Sequence, residues 1–199
     1  MPHLVLLGDS VFDNASYVPA GRSVTETLAE RLGSSWRFTL LAQDGGTIDE
    51  IGRQLLAIPT DATHLALSVG GNDVLAQGGI LAERAGTVGE ALWRLGQLAE
   101  DFGRRYRDML RKVRARSIPT MVCTIYGGSF ADEHLQLVTT TALAVFDDVV
   151  VRAVRALGMP LIELRDVCTD AEDYVNQIEP SARGGERIAA ALAAALGVT

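Results

Sequence analysis

The segment Leu4–Asn14 reads LVLLGDSVFDN and joins a run of four large apolar residues to a Gly-Asp-Ser turn. Four more short runs rich in Leu, Val and Ile follow, and segments with the apolar period of an amphipathic helix separate them. Continuous apolar strands that alternate with helices are typical of a parallel sheet covered on both faces. The sequence therefore predicts an α/β sandwich. Its strands are predicted at residues 3–7, 36–41, 63–69, 118–125 and 160–164.

Capping residues and apolar periodicity mark the predicted helices. Ser23 and Glu26 have the spacing of a capping box, and Gly33 is a stop signal for the helix that they begin. Further helices are predicted over about 47–58, 85–116, 132–157 and 181–196.

Length and charge limit the classes of function. The chain has 199 residues, enough to bury a core, and no linker or composition break divides it, so we predict one domain over residues 1–199. The formal net charge of -7 argues against nucleic acid and against an anionic membrane surface as the main partner. We therefore expect a small-molecule substrate and neither nucleic acid nor a membrane as partner. The sequence leaves the oligomeric state open.

The cysteines and the N-terminus indicate the compartment. Cys123 and Cys168 have no framework spacing, and Cys123 lies in an apolar run where a buried thiol is expected. The first residues lack a basic region followed by an apolar region and a cleavage site. These features predict a cytoplasmic protein, or a chain from which a leader has been removed.

Glycine and polar residues follow the first three predicted strands. Ser10 lies in the first of these loops, Gly45 in AQDGGT after the second strand, and Asn72 in GGND after the third. Turn chemistry alone explains each loop. Together, however, loops at the carboxyl ends of parallel strands converge on one edge of the sheet, where ligands bind. A serine nucleophile there needs nearby backbone N–H groups or an amide to stabilise an oxyanion.

These blocks, in this order and over almost the whole chain, resemble the SGNH (GDSL-type) serine hydrolases. The resemblance implies a flavodoxin-like three-layer α/β/α fold with five parallel strands, and hydrolysis of acyl esters without a metal or other cofactor. It also implies that Ser10 is the nucleophile and that Gly45 and Asn72 donate to the oxyanion. One departure is that the asparagine which usually begins the second block is absent, since Leu40 and Leu41 precede Ala42 there.

The last block departs further from the family pattern. The family has Asp-x-x-His followed by proline, which supplies the acid and the base of the catalytic triad. Here Asn176 replaces the aspartate and Glu179 replaces the histidine, while Pro180 is kept. A Ser-His-Asp triad therefore cannot be written at these positions.

Two residues are candidates for the missing base. Glu179 could serve if burial raises its pKa from the usual value of about 4.3, and Asn176 could donate a hydrogen bond to its carboxylate. His134 follows the fourth strand and lies at the correct edge of the sheet. His3 and His64 begin strands and are expected at the opposite edge.

Two functions follow from this pattern. The first is a serine-dependent esterase that acts on small acyl esters through an acyl-enzyme, with Ser10, Gly45, Asn72, Glu179 and Asn176 as its site. The second is a protein without catalytic activity that binds an acyl or carbohydrate-like ligand in the same cleft. Glu172 and Asp173 are near enough in sequence to be alternative acids. The remaining aspartates of the loops are expected to form loop hydrogen bonds and not a metal site; they are Asp9, Asp13, Asp44, Asp49 and Asp73.

Overall fold

The computed structural model describes residues 1–198 and contains five strands. They are β1 (His3–Gly8), β2 (Arg37–Leu40), β3 (His64–Ser68), β4 (Thr120–Cys123) and β5 (Leu161–Ile162). All pair in parallel, in the order β2-β1-β3-β4-β5, which is the flavodoxin-like order. The five predicted strands are confirmed, although all except β1 are shorter than the apolar runs that predicted them.

Seven α-helices cover the sheet within residues 1–198. They are α1 (Val24–Leu32), α2 (Ile51–Leu56), α3 (Gly71–Leu75), α4 (Val88–Arg114), α5 (Glu133–Ala156), α6 (Leu164–Val167) and α7 (Ala182–Ala195). Short 3-10 turns lie at Ala15–Tyr17, Gly33–Ser35, Ile48–Glu50, Gly78–Ala82 and Ala171–Asp173. No helix of this described part is long and apolar enough to cross a membrane.

The four longest helices begin where a side chain caps the first turn. In each case the capping oxygen accepts a hydrogen bond from the backbone N–H three residues later, which satisfies a donor that the helix itself cannot pair. The capping residues are Ser23, Thr87, Asp132 and Ser181. The capping box predicted at Ser23 and Glu26 is confirmed, and α1 ends at Gly33, which has a φ of +64°.

The core lies on both faces of the sheet. Leu4 and Leu6 of β1 face α1, α6 and α7, whereas Val5 and Leu7 face α2, α4 and α5. This alternation explains why β1 is a continuous apolar run, because both of its faces are buried. The predicted three-layer α/β/α arrangement is confirmed. Each helix that precedes a strand starts at the carboxyl edge of the sheet, so α4 and α5 both begin there.

Candidate active site

Ser10 lies in a tight turn directly after β1. The Asp9 N–H donates to the Ser68 carbonyl of β3 (3.1 Å), and the Asp9 carbonyl accepts from the N–H groups of Phe12 (3.2 Å) and Asp13 (3.1 Å). Gly8 has a φ of +128°, a conformation that side chains rarely adopt. The strand is thus turned sharply at Gly8, which leaves Ser10 at the carboxyl edge of the sheet.

The loops that were expected to supply oxyanion donors lie against this turn. A Cβ on Gly46 would be 2.6 Å from the Gly8 carbonyl oxygen, so only glycine allows this approach. Asn72 Nδ2 donates one hydrogen bond to the Gly46 carbonyl (2.9 Å), which orients the amide. The backbone N–H groups of Ser10 and Gly45 have no acceptor within residues 1–198. Ser10 and Asn72 line the same cavity, and the loop that carries Gly45 and Gly46 lies between the serine turn and the Asn72 amide.

Glu179 is the side chain that contacts the serine hydroxyl. Ser10 Oγ donates to Glu179 Oε1 (3.2 Å), and both side chains are buried. The second oxygen, Oε2, is buried and has no hydrogen-bond partner in the described chain. Burial raises the pKa of Glu179 above its usual value of 4.5, although the hydrogen bond from Ser10 opposes this change and the charge of Asp44 adds to it.

Asn176 supports Glu179 in a different way from the one expected. Its Oδ1 accepts hydrogen bonds from the backbone N–H groups of Ile178 (2.9 Å) and Glu179 (2.8 Å), and its side chain is exposed. The predicted hydrogen bond from the Asn176 amide to the carboxylate is therefore wrong, because the side chain closes the loop through the backbone. This loop is also closed by the Val175 N–H, which donates to the Glu179 carbonyl (2.9 Å).

Asn14 is a positioning residue that the sequence analysis missed. It is fully buried, its Nδ2 donates to the Pro180 carbonyl (3.2 Å), and its Oδ1 accepts from the Val24 N–H (2.9 Å). Asn14 thus ties the residue after Glu179 to the loop that carries Ser10. An asparagine in a loop is ordinarily explained by turn chemistry, so the sequence holds no separate signal for this role.

An apolar cavity of about 150 Å³ opens beside Ser10 and Glu179. It lies between the segment 74–81 and the first half of α5. Ser10, Asn72 and Glu179 are among its polar lining residues, with Asp9, Ser68, Gln77, Thr124 and Thr139, and the rest of the lining is mainly apolar. The apolar residues include Val74, Leu75, Ile80, Leu81, Leu95, Ile125, Phe130, Ala142, Leu143 and Phe146.

The profile of the GDSL-like Lipase/Acylhydrolase family matches residues 6–187 of the chain. The chain belongs to this family. The match confirms the resemblance that was drawn from the sequence blocks. It spans all the blocks, including the divergent one at Asn176 and Glu179. No curated protein matches the chain in sequence.

Solved structures of lipases and esterases share the fold of this GDSL-like chain. The extracellular lipase of Streptomyces rimosus is 16% identical with a TM-score of 0.71, over 100% of both chains. The phospholipase A1 of Streptomyces albidoflavus NA297 is 16% identical with a TM-score of 0.69, over 97% of this chain and 98% of that one. The inhibitor-bound aryl esterase of M. smegmatis is 12% identical with a TM-score of 0.70, over 100% of both. At these identities the similarity establishes the fold.

The other candidate acids and bases of this family member lie elsewhere. His134 is exposed in the first turn of α5 and is not among the residues that line the cavity. Asp173 is fully buried, but its carboxylate pairs with Arg187 (2.7 Å) and Arg183 (3.4 Å) and so anchors α7. Glu172 is exposed and pairs with Arg183. None of these three side chains contacts Ser10 in the described structure.

The aspartates of the loops have several different surroundings. Asp73 is buried, accepts from the Ile48 N–H (2.9 Å) and pairs with Arg105 (2.6 Å), which fastens α3 to α4. Asp13 accepts from the Asp44 N–H (3.0 Å). Within residues 1–198 no three His, Cys, Asp or Glu side chains form a group that could hold a metal ion.

Asp9 is a buried acid next to the nucleophile. Its pKa is raised from 3.8 to about 8, mainly by burial and also by the charges of Glu179 and Asp73, while a hydrogen bond from the Val11 N–H opposes the change. Asp9 is therefore largely protonated at neutral pH. A protonated Asp9 adds no negative charge next to Ser10 and Glu179.

Replacing Asp9 by asparagine is expected to stabilise the protein in alkaline solution. Because the pKa of Asp9 is higher in the folded state, the folded protein holds a proton that the unfolded chain releases. The contribution of Asp9 to the free energy of unfolding therefore falls by ~1.4 kcal/mol per pH unit between the two pKa values. Asparagine has no proton to lose and can keep the hydrogen bond from Val11 (3.1 Å).

Urea unfolding of both proteins at about pH 5 and pH 8 measures this difference. The wild type should lose stability over this range, and the Asp9→Asn variant should lose several kcal/mol less. Equal losses in the two proteins would show that Asp9 is ionised at neutral pH.

Proposed function

We propose that this protein is a carboxylic ester hydrolase in which Ser10 is the nucleophile and Glu179 is the general base. The observation that carries the proposal is the buried hydrogen bond from Ser10 Oγ to Glu179 Oε1 (3.2 Å). A nucleophilic serine needs a base within hydrogen-bond reach, and Glu179 has that position. Burial also raises its pKa, which makes the carboxylate a better proton acceptor than an exposed glutamate.

The first half of the reaction forms an acyl-enzyme. Ser10 Oγ attacks the ester carbonyl carbon while its proton passes to Glu179 Oε1. The negative charge that develops on the carbonyl oxygen is stabilised by the N–H groups of Ser10 and Gly45 and by Asn72 Nδ2. The bond to the alcohol oxygen then breaks, and Glu179 returns the proton to the departing alcohol.

The second half releases the acid. A water molecule attacks the acyl carbon and gives its proton to Glu179, and the bond to Ser10 Oγ breaks as the hydroxyl regains a proton. Glu179 Oε2 supports this step, because it is a buried acceptor with no partner in residues 1–198. A buried carboxylate oxygen of this kind is costly to leave unpaired, and a water or an alcohol hydroxyl would satisfy it.

The volume and lining of the cavity favour substrates with a small or medium apolar acyl group. An engineered cavity of about 150 Å³ in another protein binds one benzene ring, and the cavity here has a volume of about 150 Å³. We therefore propose esters with acyl chains of up to about six carbon atoms as substrates. The apolar walls favour uncharged acyl groups, since a charged group would lose its hydration there.

Covalent labelling of Ser10 tests the proposal. A fluorophosphonate probe should react once with the wild type: Ser10 Oγ bonds to phosphorus, fluoride leaves, and Glu179 takes the proton. Trypsin cleavage after Arg22 releases a peptide of residues 1–22, which contains Ser10 and Ser16. Fragment masses should place the label on Ser10, and the same protein should hydrolyse p-nitrophenyl acetate.

Two results would contradict the proposal. An unlabelled protein that does not hydrolyse the ester would favour the alternative, a ligand-binding protein that keeps the hydrolase fold without its activity. A label on Ser16 would show that Ser10 is not activated. Ser16 is exposed and serves as an internal control for unspecific reaction.

A further inference from the structure

One face of α5 forms a wall of the cavity. Four residues of this helix line the cavity, and their spacing places them on one side of it, within about 100° around the axis. They are Thr139, Ala142, Leu143 and Phe146. The first three are half-buried, whereas Phe146 is only 2% exposed. A ligand in the cavity would therefore contact α5 along about two turns.

Contacts with two other elements hold this wall in place. Phe146 packs edge-to-face against Phe102 of α4, with ring centroids 5.4 Å apart. Asp147 is fully buried, and its Oδ1 accepts a hydrogen bond (3.0 Å) from the N–H of Ile125, which follows β4 and also lines the cavity. Because protein interiors are close-packed, we expect a larger side chain on the cavity face of α5 to take up space in the cavity and not to move the helix.

Ala142 has the smallest side chain of this wall. It is also the only alanine among the residues of the described chain that line the cavity. A leucine at position 142 would add three carbon atoms to the wall. The cavity volume of about 150 Å³ fits an acyl chain of up to about six carbon atoms, so such a side chain would take up a large part of the space that the longer chains need.

We propose that Ala142 determines the length of the acyl chain that the site accepts, and that Leu143 beside it limits the longest chain. The inference rests on the proposed esterase function, because it concerns the acyl group that Ser10 would carry. An acetyl group ends one carbon atom from its carbonyl and stays next to Ser10. A hexanoyl group has four more carbon atoms, which must lie along the cavity walls, so its hydrolysis depends on the space beside Ala142.

Hydrolysis of p-nitrophenyl acetate, hexanoate and octanoate tests the proposal. Ala142→Leu should lower the ratio of kcat/KM for hexanoate to kcat/KM for acetate at least about tenfold, because one methylene group too many in an apolar pocket costs that much. Leu143→Ala should act in the opposite direction. It should raise the ratio of kcat/KM for octanoate to kcat/KM for hexanoate by about fourfold or more, the effect of burying one further methylene group.

Ala144→Leu is the matched control. It makes the same substitution on the same helix, but Ala144 is exposed and lies about 200° around the axis from Ala142. Alanine and leucine are both strong helix formers, so neither leucine variant should disturb α5. The Ala144→Leu variant should keep the wild-type kcat/KM for all three esters.

Binding without turnover gives a second readout. The Ser10→Ala variant has no nucleophile, and methyl hexanoate should raise the midpoint of its thermal unfolding, because the ester binds the folded state. Ala142→Leu in the Ser10→Ala background should abolish this rise, and Ala144→Leu in the same background should leave it unchanged.

Two results would overturn the inference. In the first, Ala142→Leu lowers the rates for acetate and hexanoate equally or lowers neither, which would show that position 142 does not sense the chain. In the second, methyl hexanoate stabilises the Ser10→Ala variant equally with alanine or leucine at position 142. An unchanged preference in Leu143→Ala would remove that residue from the proposal. If the wild type hydrolyses no ester but methyl hexanoate stabilises the protein only with alanine at position 142, the pocket is supported and the esterase proposal is refuted.

Discussion

Replacing Glu179 by glutamine is expected to lower kcat/KM for p-nitrophenyl acetate by about 10²–10⁴-fold, the contribution of a general base. Glutamine has nearly the same shape, and its Oε1 can still accept the hydrogen bond from Ser10, but it cannot take up the proton. Ser10→Ala should lower the rate at least as much, because it removes the nucleophile. Steady-state kinetics between about pH 5 and 9 measure both effects.

The pH profile adds a second readout to the same experiment. Glu179 acts as a base only when it is ionised, so the wild-type rate should rise with pH through the pKa of Glu179, which burial raises above 4.5. The variant should lose this rise along with the activity. A merely structural role of Glu179 would lower the rate without removing its pH dependence.

Two control variants make this result specific. Glu172→Gln makes the same chemical change at an exposed glutamate seven positions earlier and should retain wild-type activity. His134→Ala removes the alternative base and should also leave kcat/KM unchanged. If His134→Ala abolished hydrolysis while Glu179→Gln kept it, histidine would be the base and our assignment of Glu179 would be wrong.

The fold and the meeting point of the site residues could be predicted because they follow from local patterns. β1 is buried on both faces, so its apolar run clearly indicates a strand. The other predicted strands alternate along the chain with helices whose first turns are capped. The rule that loops meet at the carboxyl edge of a parallel sheet was sufficient to predict that the loops with Ser10, Gly45 and Asn72 are neighbours. That these three residues form a catalytic site stays a proposal. That residues 1–199 form one domain, and that the protein is cytoplasmic, stay predictions.

The orientation of individual polar side chains could not be predicted, because it depends on contacts between distant segments. Asn176 can donate or accept with equal ease, and only the path of the loop directs its oxygen to the backbone of Glu179. Asn14 reaches across 166 positions to Pro180. Asp173 was a candidate acid by its sequence position, yet two arginines of α7 hold it away from the site. These are tertiary contacts that no local pattern encodes.

Replacing Gly8 by alanine is expected to prevent folding. The added Cβ would overlap the carbonyl oxygen of Ser68 on the neighbouring strand, and a φ of +128° is strained for any side chain. The overlap is with backbone, so rotation of a side chain cannot relieve it. Gly8 is also fixed on its other side, because its N–H donates to Gln54 Oε1 (2.8 Å) and its carbonyl accepts from Gln54 Nε2 (2.8 Å). We expect a loss of more than about 4 kcal/mol, which belongs to the exceptional range for a single substitution.

Yield of soluble protein, circular dichroism and urea unfolding measure this loss, with Gly96→Ala as the matched control. Gly96 lies inside α4, and a Cβ there meets nothing within 4 Å, so the same substitution should stabilise the helix by ~1 kcal/mol. A soluble Gly8→Ala protein with wild-type stability would show that β1 and β3 can separate at this point. Ser10 would then not be held by the strand pairing, and the hydrogen bond to Glu179 would need another explanation. A folded but inactive Gly8→Ala variant would instead show that the turn positions the nucleophile even where the core tolerates the added methyl group.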